Sequence, residues 1–310
     1  MNILVTGCHG KIGLATCRLL MEQGHRVHGM DHDPSPHRAH PVTIESLVDP
    51  AGIHRALEAA GHATDPIDAV IHLAGHTNAR VAPASTVLRE NQTANTNLFL
   101  AAARAGIPRI VFCSSIQAML GGIDSGPDAR YTRPPRFPLD ETIEPCPSNV
   151  YGLSKLLAEQ TLDHITSPRM RLGWDDHAVN TTAISLRIPF VLNEQSLQWS
   201  LKHRRHAEYE WGGAEAFAYL ALDDAASALA LAATCPADRI DGHEICLAVA
   251  PDPRPADSVA ELVDRFYADV PGTDIAIARD SFVDCARART LLGWAPTRIL
   301  REMRSSQPTQ

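Results

Sequence analysis

The sequence lacks a hydrophobic stretch long enough to span a membrane, which needs about 20 consecutive apolar residues, and it lacks an excess of positive charge. Its 28 lysines and arginines are outnumbered by 36 aspartates and glutamates, which gives a net charge of −8. Because non-specific nucleic-acid binding requires a basic surface, we expect neither a nucleic acid nor a membrane as a partner. No basic and apolar leader precedes the first predicted strand, so we expect a cytoplasmic protein.

Cysteine pairs with metal-binding spacing are also missing. The seven cysteines include no Cys-x-x-Cys pair, and the fifteen histidines show no spacing typical of zinc sites. We therefore predict neither a disulfide framework nor a metal site, and we interpret the cysteines as small buried hydrophobes.

What the sequence does contain, at its start, is a glycine-rich turn. Residues 3–5 suit a buried strand, Gly7, Gly10 and Gly13 follow, and a helical pattern of leucines comes next. The N–H groups of such a turn, together with the positive end of the helix dipole, can bind a pyrophosphate. The alternative at this point is a loop that binds no ligand and contains glycine only because its backbone needs positive φ.

An acidic residue follows the turn at the distance expected for a dinucleotide site. The second predicted strand, residues 26–30, ends at Asp31, where a ribose hydroxyl pair would be held. Asp33 adds a second negative charge that would repel a 2′-phosphate. The sequence therefore favours NAD, and NADP stays the less favoured alternative because His32 and Arg38 are close by.

Strand and helix patterns alternate through the first 187 residues. Strands are predicted over 42–47, 69–75, 109–114 and 181–187, and helices over 50–60, 86–105 and 150–164. This alternation predicts a doubly wound parallel α/β sheet, with residues 1–187 as the dinucleotide-binding core. We expect 188–310 to form a smaller substrate lobe, with helices near 193–204, 223–234, 256–268 and 284–292. Short strands near 217–222 and 243–249 are expected there, some returning to the core sheet. The proline-rich segment 120–148 is a candidate rim of the active site.

The helix that follows this segment carries a candidate catalytic pair. Tyr151 and Lys155 are four residues apart and share one helix face. A phenol is a poor base at neutral pH, but an ammonium group and the positive charge of an oxidised nicotinamide both favour the phenolate and lower its pKa. Tyr151 can then exchange a proton with an alcohol or ketone, and Ser115, at a strand end, can bind the same oxygen. Tyrosine–lysine pairs also occur by chance, but the glycine-rich turn on the same chain favours the catalytic interpretation.

Several motifs occur together in this chain: Thr6-Gly7-x-x-Gly10-x-x-Gly13, Asp31, His72-Leu73-Ala74-Gly75, Asn91, Ser114-Ser115, Tyr151-x-x-x-Lys155, Leu186-Arg187, Asp223-Asp224-Ala225-Ala226 and Leu292-Gly293-Trp294-x-Pro296. Over nearly its whole length the chain resembles an extended short-chain dehydrogenase/reductase of the NAD-dependent epimerase/dehydratase family. The resemblance implies a Rossmann-type core, a smaller C-terminal substrate lobe, NAD(P), and hydride chemistry at a carbinol carbon.

The resemblance also implies which residues form the site. Ser115, Tyr151 and Lys155 correspond to the catalytic triad of the family. Besides Tyr151 and Lys155, the cofactor would contact these residues: Gly7, His9, Gly10, Lys11, Ile12, Gly13, Asp31, Ser46, Leu47, Leu73, Ala74, Gly75, Asn91, Pro189 and Val191. Family members often dimerise through two helices, here residues 88–105 and 150–165, so we expect a homodimer.

The chain departs from the family pattern at four positions. Ser46 stands where an aspartate often binds the adenine. Ile116 and Gln117 replace the Asp-Glu pair of dehydratases, so dehydration is disfavoured. Phe217 replaces an arginine that clamps the pyrophosphate of sugar nucleotides. A nearby basic group could partly substitute for that arginine, or could be a solvated helix end: Lys202, Arg204 and Arg205.

These features favour an NAD-dependent oxidoreductase acting on a secondary alcohol or ketone of a small sugar-like or polyol substrate. The alternative is a sugar or sugar-nucleotide epimerase that keeps its NAD tightly bound. A third possibility is a dinucleotide-sensing protein without turnover, but the intact Tyr151, Lys155 and Ser115 argue against it, because a sensor does not need them.

Overall fold

A seven-stranded parallel sheet organises the fold, in a computed structural model that describes residues 1–34, 39–62, 64–77, 82–121, 133–172, 180–203 and 210–306. The strands are, in chain order, β1 (Asn2–Thr6), β2 (Arg26–Asp31), β3 (Val42–Ile44), β4 (Ala69–His72), β5 (Arg109–Ser115), β6 (Thr182–Ile188), β7 (Phe190–Leu192), β8 (Tyr219–Ala221) and β9 (His243–Leu247). The helices are α1 (Lys11–Glu22), α2 (Pro50–Ala60), α3 (Ala84–Arg104), α4 (Val150–Ile165), α5 (Glu194–Lys202), α6 (Leu222–Thr234), α7 (Val259–Leu262), α8 (Thr273–Arg279), α9 (Ala286–Leu292) and α10 (Leu300–Ser305).

The sheet has the order β3-β2-β1-β4-β5-β6-β9, and each neighbouring pair is parallel. The chain runs outward from β1 to β3 and then crosses back to β4. The strand order therefore reverses between β1 and β4, where ligands bind in open parallel sheets. The prediction of a doubly wound parallel sheet is confirmed.

Both faces of this sheet are buried under helices. Ile3 and Val5 of β1 pack in a core cluster with residues of α1 and α6. Leu4, between them, packs on the opposite face with residues of α2, α3 and α4. This is the pattern expected of a parallel strand covered on both sides, and it explains why residues 3–5 form an uninterrupted apolar run.

Two predicted strands end earlier in the structure than we expected. We expected a strand to residue 47, but β3 stops at Ile44, which pairs with Asp31, the last residue of β2. We expected a strand to residue 75, but β4 stops at His72, opposite Thr6 at the end of β1.

The C-terminal half is less regular than the first. β9 joins the main sheet beside β6, whereas β7 and β8 form a small parallel pair of their own. α7 is a single short turn followed by a π-helical turn at Val263–Tyr267, where we expected a longer helix. α8 and α10 were not predicted. Within the part of the chain that the structure describes, no helix has the length and apolar character that crossing a membrane would require.

Candidate active site

The glycine-rich turn after β1 is packed so closely that two of its glycines leave no room for a side chain. A Cβ atom on Gly7, whose φ is +70°, would lie 2.7 Å from the nitrogen of Ala74. A Cβ on Gly13 would lie 2.2 Å from the oxygen of Gly7. A Cβ on Gly10 would meet only that same oxygen, at 3.2 Å. Gly7 and Gly13 therefore serve the packing of the turn, and Gly10 keeps its outer side open.

α1 begins directly behind this turn. Gly10 is its N-cap residue and provides no side chain to the first N–H groups, and the first turn of the helix contains no acidic residue. Lys11 opens the helix, and Ile12 packs against the core. These features fit a pyrophosphate, because the free N–H groups and the helix dipole both attract negative charge.

Asp31 is fixed beside the turn at the end of β2. Its side chain is only 7% exposed. One carboxylate oxygen accepts a hydrogen bond from the His9 N–H at 3.0 Å, and the other accepts from the Asp33 N–H at 3.1 Å. A carboxylate held next to a pyrophosphate cradle suits a ribose hydroxyl pair. Cys8 also has its sulfur within 4.8 Å of ligand atoms of His9 and Asp31, so a cation could fit among them. Arg38 lies outside the described residues.

Ser46 and Leu47, the predicted adenine contacts, lie in the turn between β3 and α2. The Ser46 hydroxyl accepts a hydrogen bond from the Val48 N–H at 3.3 Å. Leu47 is buried in the core cluster under α2 and α3. Asp49 caps α2, as predicted, by accepting from the Ala51 N–H at 3.0 Å.

Asn91 holds the segment after β4 in place. Its Oδ1 accepts from the His76 N–H at 2.8 Å, and its Nδ2 donates to the His76 carbonyl and to the Ser154 hydroxyl, both at 3.0 Å. Gly75 lies against it with φ of +144°, and a Cβ there would meet the Asn91 Oδ1 at 3.1 Å. Asn91 thus shapes the Leu73–Gly75 segment and ties it to α4.

The segment after β6 lies close to the glycine-rich turn. The Lys11 ammonium donates to the Val191 carbonyl at 3.3 Å and lies 5.9 Å from the centre of the Phe190 ring. Pro189 leads into this contact. Residues 180 positions apart in the sequence therefore meet at the carboxyl edge of the sheet.

The three predicted catalytic residues come together at the end of β5. The Lys155 ammonium donates to the Cys113 carbonyl at 2.7 Å and lies 5.6 Å from the centre of the Tyr151 ring. Ser115 is the last residue of β5, and its hydroxyl accepts from the Gln117 N–H at 3.2 Å. Lys155 is buried against Phe112, 4.5 Å from the ring centre.

Burial acts on the pKa values of this pair more strongly than their proximity does. Burial raises the pKa of Tyr151, and a hydrogen bond with Ser115 opposes that rise. Burial lowers the pKa of Lys155, and the charges of Cys113 and Glu159 oppose that fall. We expected Lys155 to lower the pKa of Tyr151, but within the protein alone the lowering comes from Ser115. The low polarity of the site disfavours both charged forms.

A buried ion pair lies behind the site, and the sequence motifs did not predict it. Arg187 donates through Nε and Nη2 to the two carboxylate oxygens of Glu159, at 3.0 and 2.7 Å. The Ser114 hydroxyl donates to the same carboxylate at 2.5 Å. Glu159 continues the four-residue spacing of Tyr151 and Lys155, which could have placed it on the same helix face.

A second polar group, also missed, lies in front of the catalytic helix. Gln117 donates to the Glu215 carboxylate at 2.8 Å and accepts from Asn149 at 2.9 Å. Asn149 is the N-cap of α4, since it accepts from the Gly152 N–H at 2.7 Å. Ile116, by contrast, is fully buried in the core.

Phe217, at the position of the expected arginine, lies in an aromatic cluster. Its ring centre is 5.1 Å from that of Phe266 and 6.2 Å from that of Tyr267, both nearly edge-on. Lys202 is exposed at the end of α5, and Arg204 and Arg205 lie outside the described residues. The position of the clamp is therefore apolar.

The sequence and the fold of this chain are similar to those of several known proteins. The chain is 32% identical over 159 residues to the NAD-dependent glucose-6-phosphate dehydrogenase of Haloferax volcanii, which covers 51% of this chain and 60% of that protein. Its fold is similar to a short-chain dehydrogenase/reductase superfamily protein of Agrobacterium tumefaciens with bound NAD (TM-score 0.66, 23% identity, 98% and 96% of the two chains covered). It is also similar to the UDP-glucose 4-epimerase of Thermotoga maritima with UDP-glucose (TM-score 0.67, 20% identity, 97% and 96% covered).

The curated relatives are matched over only part of their length, from 34% to 60%. The profile of the NAD dependent epimerase/dehydratase family matches residues 3–169, which is more than half of the chain. That match covers the glycine-rich turn, Asp31, Ser115 and the Tyr151–Lys155 pair. The chain belongs to the NAD dependent epimerase/dehydratase family.

Proposed function

We propose that this protein is an NAD-dependent oxidoreductase that acts on a secondary alcohol or ketone of a small sugar-like or polyol substrate. The observation that carries the proposal is the convergence of Ser115, Tyr151 and Lys155 at the carboxyl end of β5, on the sheet edge that also bears the glycine-rich turn. A nucleotide cradle and a proton-exchanging phenol at one edge are what hydride transfer at a carbinol carbon requires.

The cofactor would lie along this edge. The glycine-rich turn and the start of α1 would hold the pyrophosphate, Asp31 the adenosine ribose, and Pro189–Val191 would border the nicotinamide. Asp31 and Asp33 supply negative charge where NADP carries its 2′-phosphate, which favours NAD. When bound, NAD accepts or supplies the hydride.

Residues of the chain itself would bind the carbinol oxygen and exchange its proton. Ser115 would donate a hydrogen bond to the carbinol oxygen and orient it. Tyr151 would take the hydroxyl proton during oxidation and return it during reduction. Lys155, fixed by the Cys113 carbonyl at 2.7 Å, would hold the nicotinamide ribose and place positive charge beneath the phenol ring.

The proposal is tested by following NADH absorbance with a panel of sugars and polyols such as glucose, galactose, sorbitol and inositol. Tyr151→Phe should lower kcat by about 10²- to 10⁴-fold, because it removes the proton acceptor. Its NAD affinity, measured by fluorescence titration, should stay close to that of the wild type. Firm NAD binding with no Tyr151-dependent turnover would leave the sensing function instead.

An epimerase is the second candidate, because the same residues can oxidise a carbinol and return the hydride to the other face. The similarity to UDP-glucose 4-epimerases favours it, whereas the apolar setting of Phe217 weakens it for sugar nucleotides. Cofactor that stays bound through purification, with isomerised product and no net NADH, would identify the epimerase.

We also propose that the protein is a homodimer that pairs through α3 and α4. Leu153, Leu156 and Leu157 of α4 are only half-buried in the single chain. A second copy would cover this apolar surface. Sedimentation equilibrium should give twice the mass of the chain, and Leu156→Glu with Leu157→Glu should return the monomer.

The expected location is a reducing compartment, and we propose the cytoplasm. All seven cysteines are free, and six of them are buried. Such cysteines are typical of proteins that fold without disulfides. Fractionation of the native cells, with antibody detection, tests this location.

A further inference from the structure

Three residues with metal-binding side chains lie together between the glycine-rich turn and the end of β2. The Cys8 sulfur, a ring nitrogen of His9 and a carboxylate oxygen of Asp31 are all within 4.8 Å of one another. Thiolate, imidazole and carboxylate are the ligands that Zn²⁺ uses in proteins. Tetrahedral bonds of about 2.0–2.3 Å bring ligand atoms to within about 4 Å of one another, so small side-chain shifts would close this group around one ion.

His9 has the orientation that a metal-binding histidine requires. Its Nδ1 lies 2.7 Å from the Asp33 carbonyl oxygen, which can only accept, so Nδ1 carries the ring proton. The lone pair is therefore on Nε2, which is buried and has no hydrogen-bond partner among the described residues. Histidines that bind metals commonly donate their other ring N–H to a backbone carbonyl in this way.

A fourth side chain, His40, faces the same group from the segment before β3. It is 8% exposed, and within the described parts of the chain neither of its ring nitrogens has a hydrogen-bond partner. A Cβ on Gly29 would lie 2.6 Å from the Cys8 sulfur and 2.8 Å from the His40 Nε2, so these two atoms meet over a residue without a side chain. Burial lowers the pKa of His40, which keeps the ring neutral and a lone pair available. Buried polar atoms without partners are rare in native proteins, and a bound ion is one partner that would satisfy them.

We propose that Cys8, His9, Asp31 and His40 form a binding site for one divalent transition-metal ion of the Zn²⁺ type. A set of one sulfur, two nitrogens and one oxygen favours such an ion over Mg²⁺ and Ca²⁺, which prefer oxygen ligands. Burial and the charge of Asp31 raise the pKa of Cys8 to about 12, so the thiol is protonated without metal, and binding releases its proton to the solvent. The four residues come from three segments, so their spacing matches no zinc motif.

The site shares Asp31 with the place proposed for the adenosine ribose. The Oδ2 atom of Asp31 accepts one hydrogen bond from within the described chain, from the His9 N–H at 3.0 Å, so a second acceptor position there is open to either ligand. A metal ion and the ribose hydroxyls would compete for it, and each ligand would weaken the binding of the other by the same factor. This competition rests on the proposed position of NAD, whereas the metal site itself does not.

Titration of the cofactor-free full chain with Co²⁺ tests the site, because a thiolate bound to Co²⁺ gives a charge-transfer band in the near ultraviolet. The wild type should bind one Co²⁺ per chain with this band, and Zn²⁺ should abolish the band by displacing the Co²⁺. Cys8→Ala should remove the band, and His40→Gln should lower the Co²⁺ affinity by about 100-fold or more. Cys246→Ala removes another buried thiol and should leave the band unchanged.

His9→Gln provides a second test if the buried variants do not fold, since His9 is only half-buried on the turn. It should lower the Co²⁺ affinity in the same way as His40→Gln. His54→Gln, on the exposed side of α2, is the matched control for both histidine variants and should bind Co²⁺ like the wild type.

Co²⁺ uptake without the thiolate band, or a band that persists in Cys8→Ala, would overturn the proposal, because the ion would then be bound by surface histidines. An unchanged affinity in both His40→Gln and His9→Gln would overturn it as well. Saturating NAD should raise the apparent Kd of Co²⁺ by about fivefold or more. An unchanged Kd, in protein shown to bind NAD by fluorescence titration, would remove Asp31 from the ligand set.

The proposed function fails in a different way, since there Tyr151→Phe would keep its turnover. The Co²⁺ titration uses neither substrate nor NAD, so it decides the metal site in either case.

Discussion

Replacing Glu159 with glutamine should destabilise the fold by about 3–5 kcal/mol, because it leaves the charge of Arg187 buried without its counter-ion. Arg187 is 2% exposed and Glu159 is 1% exposed. The pair is joined by two hydrogen bonds of 3.0 and 2.7 Å, and Ser114 adds a third contact of 2.5 Å. Glutamine has almost the same shape and keeps one acceptor oxygen, so the measured loss reports the charge and not the volume.

The expected loss is a large part of the total, since domains unfold with about 5–15 kcal/mol. Urea unfolding followed by circular dichroism measures it directly. At an m-value of about 3 kcal/mol per molar, the midpoint should fall by about 1–1.7 M. The variant should also lose turnover, because the charge of Glu159 opposes the fall that burial causes in the pKa of Lys155.

The double variant Glu159→Met with Arg187→Met is the matched control. It removes both charges, so its loss of stability should be smaller than the sum of the losses measured for Glu159→Met and Arg187→Met alone. Ser114→Ala removes one hydrogen bond to a charged group and should cost about 1.5–3 kcal/mol. A loss below about 1 kcal/mol for Glu159→Gln, or a double variant whose loss equals the sum of the single losses, would mean that Glu159 and Arg187 do not stabilise each other.

Three further predictions concern the cofactor cradle and the sheet beneath it. Gly13→Ala should lower the unfolding midpoint, because its Cβ would lie 2.2 Å from the oxygen of Gly7, whereas Gly10→Ala should keep the fold and weaken NAD binding in a fluorescence titration. Asp31→Ala should weaken NAD binding more than NADP binding, and equal losses would contradict its place at the ribose. Burial lowers the pKa of His72 from 6.5 to about 3, so the stability that depends on neutral His72 is present above pH 6.5 and lost as the pH falls towards 3. Between these pH values the free energy of unfolding, measured with urea, should therefore fall by up to about 5 kcal/mol more in the wild type than in His72→Gln. Parallel falls in the two proteins would contradict this prediction.

Local patterns in the sequence predicted the fold well wherever one element decides its own conformation. The apolar run at residues 3–5 and the Asp49–Pro50 helix start depend on neighbours in the chain, and both appear as expected. The end of β3 coincides with the end of its neighbour β2, and a single strand does not contain that information. The same limit explains β7, three residues that form a strand because β8 lies beside them.

In the candidate site, too, local spacing predicts some features, whereas others depend on the folded core. The Tyr151–Lys155 spacing places both side chains on one helix face, so the sequence alone pairs them, and the structure brings Lys155 within 5.6 Å of the Tyr151 ring centre. Their pKa values could not be predicted from spacing, because burial acts on both groups and depends on the whole core. Among the described residues, the effect that opposes this burial at Tyr151 is the hydrogen bond with Ser115, which lowers the pKa.

The contact between Glu215 and Gln117 could not be predicted from the sequence, since it joins residues 98 positions apart. No helical or strand period relates them, and the turn that brings them together uses a φ of about 50° at two residues that are not glycine. Sequence patterns place glycine at such positions, so a turn built from Ala216 and Phe217 gives no signal. The elements of chemistry common to the family are thus encoded locally, at the turn and along one helix. Contacts between the two halves of the chain, such as that of Gln117 with Glu215, are visible only when the chain is folded.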